Sequence, residues 1–335
     1  MNKGKVKVGM TQFHCVPDRA ENMKKAEEQI RAMAAKGAKI ICTQELFNGL
    51  YFPQTIDYTK YDWAEPVDGP TNQKMIALAK ELDVVIVSSF YEYAMDGVYF
   101  NSVAAIDPDG TILGVYRKHH IPEGPQYIEK YYFTPGDSPY IVFKSKYGNF
   151  GVLICWDQWF PEPTRILALK GADFVFYPSA IGSEPDNPEL DTSQTWIDGM
   201  RGHAIHNNFY VCACNRVGRE DAVDGSGFME FYGRGFVANP WGQLIAEGKY
   251  NEEDMVVAEL DLDEIKKSRD ILQFHRDRRV DSYGELLKLC ICELAKAGCK
   301  QHGKRSGAHP RCIPGAHPRC IVQHLINKGI VRSKL

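Results

Sequence analysis

The chain is predicted to be an α/β protein with mixed sheets. Strand-sized apolar runs alternate with amphipathic helical stretches, and several neighbouring strands are joined by hairpin signals. Alternation alone would suit a parallel sheet; the hairpins require antiparallel neighbours as well. No linker interrupts the pattern before residue 289, so residues 1–289 read as one domain and residues 290–335 as a separate tail.

The elements follow in order. Residues 6–13 form an apolar opening strand, residues 22–35 an amphipathic helix, and residues 39–43 a short buried strand. A helix over 72–82 precedes a strand over 84–90. Strands over 101–107 and 111–116 form a hairpin across Pro108-Asp109-Gly110, whose turn chemistry suits a tight reversal. A strand over 150–155 ends at Cys155, and a helix over 161–170 opens with Pro161, where the missing N–H is harmless. Strands over 173–178 and 209–215 flank a helix over 195–207. A hairpin over 235–238 and 243–247 turns at Asn239-Pro240-Trp241-Gly242, and a strand over 255–260 leads into a helix from Asp261.

With 335 residues, 44% of them hydrophobic and 25% charged, the chain has ample material for a large core. The longest apolar runs are strand-sized, which excludes a membrane span. The first residues pass straight into a strand with no signal-like apolar region, so a cytoplasmic location is expected. The net charge of −3 hides an asymmetry: residues 290–335 hold nine Lys or Arg against one acidic residue, while the remainder holds 31 basic and 42 acidic residues. An acidic body argues against nucleic acid and suits a cationic small molecule. Cys15, Cys42, Cys155, Cys212 and Cys214 have no framework spacing and are read as reduced thiols. The tail repeats Gly307-Ala-His-Pro-Arg-Cys312 as Gly315-Ala-His-Pro-Arg-Cys320; it is read as disordered or as an added extension. Its Cys and His spacing matches no zinc pattern, so no metal is expected.

Four polar residues sit where α/β layers present functional groups. Cys155, on a strand-to-helix turn, is expected to be exposed near a helix N-terminus, a setting that lowers a thiol pKa. Alone, such a cysteine is more readily a small buried hydrophobe. Glu45 follows a buried strand in Gln44-Glu45-Leu46-Phe47, where a carboxylate is costly unless paired or functional. Lys118 ends a strand in Arg117-Lys118-His119-His120-Ile121-Pro122, a place where a solvated lysine is the commoner outcome. Glu129 lies in Tyr127-Ile128-Glu129-Lys130-Tyr131-Tyr132-Phe133, among aromatics that would desolvate it.

These motifs, in this order and at these separations, with Ile154-Cys155-Trp156-Asp157-Gln158-Trp159-Phe160-Pro161-Glu162, resemble the nitrilase (carbon–nitrogen hydrolase) superfamily over residues 5–289. The stretches Tyr131-Tyr-Phe-Thr-Pro-Gly-Asp137, Tyr177-Pro-Ser-Ala-Ile-Gly-Ser-Glu-Pro185 and Phe274-His-Arg-Asp-Arg-Arg279 are similar to its carbamoyl-cleaving branch. The resemblance implies a four-layer α-β-β-α sandwich and a Glu45–Lys118–Cys155 triad with Glu129 as an auxiliary carboxylate. It also implies no cofactor, and a homo-oligomer. The implied reaction is hydrolysis of N-carbamoylputrescine through a thioester on Cys155, with the N–H of Trp156 and Lys118 binding the developing oxyanion. An anion must then meet the substrate amine, and Glu184, at the start of an acidic loop after a strand, is the first nominee. Branches acting on N-carbamoyl amino acids need a cationic clamp instead, for which Arg201 and Arg216 are candidates. An ω-amidase or a non-catalytic scaffold of the same fold would also be compatible with the resemblance.

Overall fold

The computed structural model describes residues 3–184, 187 and 189–289. Two six-stranded sheets carry the architecture. Across the first, the strands run Asp254–Asp261, Lys5–Gln12, Ile40–Cys42, Val85–Met95, Val98–Ile106 and Ile112–Arg117. Across the second they run Leu244–Glu247, Phe236–Ala238, Tyr210–Asn215, Phe174–Ser179, Gly148–Val152 and Val142–Ser145. Each sheet has a parallel trio flanked by antiparallel strands. The crossovers Arg19–Ala35 and Pro70–Leu82 serve the first trio, Pro161–Leu169 and Ser193–Asn207 the second. A separate ribbon pairs Val217–Asp221 with Phe228–Tyr232.

Period-two alternation explains why the central strands read as continuous apolar runs. Ile40, Cys42, Val85 and Val87 share a buried cluster with Phe150, Val152 and Phe174 of the second sheet. Their neighbours Ile41, Val84 and Ile86 instead meet Ile30 and Met33 of one helix and Met75 and Leu78 of the next. Sheets therefore face each other and helices cover the outside, which makes four layers. The sulfurs of Cys42 and Cys214 touch across the two sheets at 3.7 Å. Each large apolar side chain buried this way contributes about 1.5–3 kcal/mol, so the cores outweigh any surface ion pair in holding the layers together.

Local chemistry sets the element ends. Asp18 caps the first helix by accepting from the N–H groups of Ala20 and Glu21. Asp83 and Asn208 end their helices in the left-handed conformation that short polar side chains tolerate. The strand expected to reach Cys155 stops at Val152. The strand Val142–Ser145 and the Val217–Asp221 ribbon have no counterpart in the sequence reading; the short Val-Phe-Lys-Ser and the charged Val-Gly-Arg-Glu-Asp escape an apolar-run criterion. Among the described residues no helix is long and apolar enough to cross a membrane.

Residues Met1–Arg278 form one compact unit. In the following unit the described residues hold two short turns, Val280–Ser282 and Gly284–Leu287. The tail at 290–335, with its tandem repeat, lies outside the described residues, as do positions 185, 186 and 188 of the acidic loop.

Candidate active site

Glu45, Lys118 and Cys155 each lie just beyond the C-terminal end of a strand, at Ile40–Cys42, Ile112–Arg117 and Gly148–Val152 respectively. Glu129 opens the one-turn helix Glu129–Tyr132. The first two come from one sheet and Cys155 from the other, so the site forms where the two sheets meet. Glu45, Lys118 and Glu129 are wholly buried.

Lys118 Nζ donates to Glu45 Oε1 at 2.9 Å and to Glu129 Oε2 at 2.7 Å. Glu45 Oε1 also accepts from Asn101 Nδ2 at 2.7 Å, and Glu129 Oε1 accepts from the Tyr51 hydroxyl at 2.6 Å. Three of the four carboxylate oxygens are thus engaged. Glu45 Oε2 is buried with no hydrogen-bond partner among the described residues. An ammonium carries three protons, so two carboxylates leave Lys118 one donor for another oxygen.

The charges act on one another strongly. Burial would pull Lys118 down, but Glu129, Glu45 and the Cys155 sulfur hold it above its ordinary value. Burial pushes Glu129 up to about 7; Lys118 opposes the rise and Glu45 adds to it. Burial likewise pushes the Cys155 thiol well above its ordinary range, with Glu45 and Glu129 reinforcing and Lys118 opposing. This corrects the expectation of an exposed, acidified thiol: Cys155 is 5% exposed. A neutral thiol at rest needs a base to take its proton during attack, and Glu45, close enough for its charge to act on Cys155, carries an unpartnered oxygen.

The turn at Cys155 is held from both sheets. Cys155 has φ +40°, left-handed for a residue with a Cβ, and leads the 3₁₀ turn Cys155–Trp159. Buried Asp157 fixes it. Its Oδ2 accepts from the Ile154 N–H at 2.9 Å and the Tyr116 hydroxyl at 2.8 Å. Its Oδ1 accepts from the His120 N–H at 3.0 Å and lies 2.7 Å from His120 Nδ1. His120 in turn lies flat on Phe160, with ring centres 3.8 Å apart.

Cys155 opens onto a cavity of about 460 Å³ walled by Pro122, Tyr127, Trp156, Trp159, Ile181 and Leu190. Trp156 is half exposed at this wall. Glu184 lines the same cavity, and its Oε1 accepts from the Thr192 hydroxyl at 3.2 Å. Glu123 is the other charged residue of the lining, which holds no Lys, Arg or His among the described residues. The two candidate cationic clamps are elsewhere. Arg201 donates to the Gly242 carbonyl and pairs with Asp198. Arg216 is fully buried and bonded to backbone carbonyls and Glu220. Among the described residues no three His, Cys, Asp or Glu are grouped as metal ligands.

The structure therefore gathers Glu45, Lys118, Glu129 and Cys155, and puts Trp156 and Glu184 on the adjoining cavity. Asn101, Tyr51 and Asp157 were not anticipated. Asn101 had a faint signal, a polar amide at the head of an apolar strand; Tyr51 had none, since its partner lies 78 residues away.

A buried thiol, an unpartnered carboxylate oxygen and an ammonium meet at the junction of an α-β-β-α sandwich, the groups that nucleophilic attack on an acyl carbon requires. The chain belongs to the carbon-nitrogen hydrolase family, whose model matches residues 7–270. It is 49% identical over 287 residues to an N-carbamoylputrescine amidase from Solanum lycopersicum, covering 85% of this chain and 95% of that one. It is 41% identical over 284 residues to a citrullinase from Francisella tularensis, covering 84% and 98%. A crystal structure of a carbon-nitrogen hydrolase from Helicobacter pylori G27 superposes with TM-score 0.82 at 35% identity, covering 86% of this chain and all of that one.

Proposed function

We propose that the protein hydrolyses N-carbamoylputrescine to putrescine, carbon dioxide and ammonia through a thioester on Cys155. One observation carries the choice of substrate: among the described residues the charged side chains lining the cavity at Cys155 are the carboxylates Glu123 and Glu184, so it suits a tail ending in ammonium and offers no lining cation to a carboxylate. The plant relatives named for this reaction point the same way.

Each residue then has a task. Glu45 takes the Cys155 proton on Oε2 as sulfur attacks the ureido carbon. Lys118 donates a hydrogen bond through its third N–H, together with the Trp156 N–H, to the oxygen that gains charge; a donor of this kind contributes about 3–4 kcal/mol to lowering the barrier. Glu45 passes its proton to the departing amine, leaving a carbamoyl thioester, then takes a proton from the water that attacks it and returns that proton to the departing Cys155 sulfur. The released carbamate decomposes to carbon dioxide and ammonia. Glu129, fixed by Tyr51, orients Lys118, and Glu184, steadied by Thr192, meets the substrate ammonium. The catalytic unit is residues 1–289, it works as a cytoplasmic homo-oligomer, and it needs no cofactor.

Ammonia release is measured on carbamoylputrescine, citrulline, carbamoyl-β-alanine and uncharged butylurea, with Glu184→Gln beside the parent. Carbamoylputrescine is expected to lead, and Glu184→Gln to raise its KM about tenfold, a typical value for one charge-assisted contact, without touching butylurea. Preference for the carboxylate-ended compounds would overturn the substrate; an unchanged ratio in Glu184→Gln would remove that residue.

A further inference from the structure

We infer that Arg216, with Glu220, is a positioning residue for Glu45, fixing the loop that carries Glu45 at its start and Tyr51 at its end. The inference rests on the proposed role of Glu45 as base.

This loop leaves the first sheet after Ile40–Cys42 and bends at once, with Leu46 in the left-handed region at φ +49°. Arg216 satisfies its turned-out carbonyls. Nη2 donates to the Glu45 carbonyl at 3.1 Å and the Leu46 carbonyl at 2.8 Å; Nη1 donates to the Gly49 carbonyl at 2.9 Å and Glu220 Oε1 at 2.6 Å. Glu220 Oε2 then accepts the Tyr51 N–H at 2.6 Å. The Phe231 ring lies 5.6 Å from the guanidinium. Both side chains of the pair are fully buried.

The origin of these groups gives the pair more than a stabilising part. Arg216 follows the strand Tyr210–Asn215 of the second sheet, the sheet that supplies Cys155, whereas Glu45 comes from the first. One guanidinium thus ties the loop of the base to the sheet of the thiol. Through Glu220 it also ties down Tyr51, whose hydroxyl meets the carboxylate that holds Lys118. A lysine could keep the charge but not the planar fork that reaches three carbonyls and a carboxylate together.

The test is a double-mutant cycle of Arg216→Lys with Glu45→Gln on the full chain. It reads kcat and KM on the best substrate of the panel, the rate of Cys155 alkylation by iodoacetamide located by mass spectrometry, and the thermal midpoint. Misplacing a catalytic group by about 1 Å costs roughly 100-fold, so folded Arg216→Lys is expected to lose about 10- to 100-fold in kcat with KM within about twofold, and alkylation should slow in parallel. In the Glu45→Gln background the same substitution should change the residual rates less than about threefold, because the group it positions is gone. An unchanged kcat in folded Arg216→Lys, or the full loss repeated in the Glu45→Gln background, overturns the inference. Where Arg216→Lys does not fold, Glu220→Gln takes its place in the same cycle and the same two results overturn the inference, since it keeps an acceptor for the Tyr51 N–H. The alkylation arm needs no substrate, so a wrong substrate shows as absent turnover in the parent while the coupling to Glu45 is still read.

Discussion

Replacing Lys118 by Met tests the charge balance at the centre of the site. Among the described residues Lys118 is the one cation bonded to both buried carboxylates, at 2.9 and 2.7 Å. Its loss removes a donor to the developing oxyanion, about 3–4 kcal/mol of barrier or roughly 100- to 1,000-fold in kcat. It also strands two carboxylates, and breaking a buried ion pair costs about 3–5 kcal/mol of stability. The second cost depends on pH. Glu129 already sits near 7, and without Lys118 its pKa rises further, so near pH 6 it takes a proton and escapes most of the repulsion. The full cost is therefore expected near pH 8 and a smaller one near pH 6. The double variant Lys118→Met/Glu129→Gln removes one stranded charge and should recover at least about half of the lost stability near pH 8, each pKa unit being worth about 1.4 kcal/mol, with no recovery of turnover. Urea unfolding at both pH values, with ammonia release, reads all of this. A Lys118→Met protein as stable as the parent at pH 8, or one keeping more than about a tenth of kcat, refutes the reasoning.

Three further outcomes are expected. Cys155→Ala should fold with the parent's thermal midpoint within a few degrees and bind substrate without turnover; a thioester trapped from the parent by acid quench should map to Cys155 and be missing from the variant. Glu129 carries a folded-state value of about 7 against an ordinary 4.5, so the folded chain holds a proton the unfolded one releases. Its contribution to stability is present below about pH 4.5 and is lost as pH rises through about 7; the decline in unfolding free energy from pH 5 to 8 should be shallower in Glu129→Gln, and an unchanged slope counts against the assignment. Removing residues 290–335 should leave kcat and KM within about twofold, as expected for a chain end outside the catalytic unit, and a folded truncation that loses turnover would place a needed residue there.

Sequence pattern made the alternating strands and helices legible, while the four layers and the grouping of Glu45, Lys118 and Cys155 came from the family resemblance. Continuous apolar runs such as the one around Ile40 and Ile41 mark strands buried on both faces, and that follows from period two without any tertiary knowledge. Glu45, Lys118 and Cys155 stand out because each polar side chain interrupts or ends such a run, a local contrast that a reader of sequence can see. Tertiary structure alone decided what those residues experience. Cys155 reads as exposed from its turn, yet it is buried, and burial together with Glu45 and Glu129 lifts its pKa. Arg216 reads as a clamp for a substrate carboxylate, yet it is spent on carbonyls about 170 residues away in sequence. Tyr51 and Asn101 reach the two carboxylates across 78 and 56 residues. Burial and hydrogen bonding depend on which chain segments come to lie together, and local pattern carries no record of that; it fixes the groups available for chemistry, and the meeting of the two sheets fixes their protonation and aim.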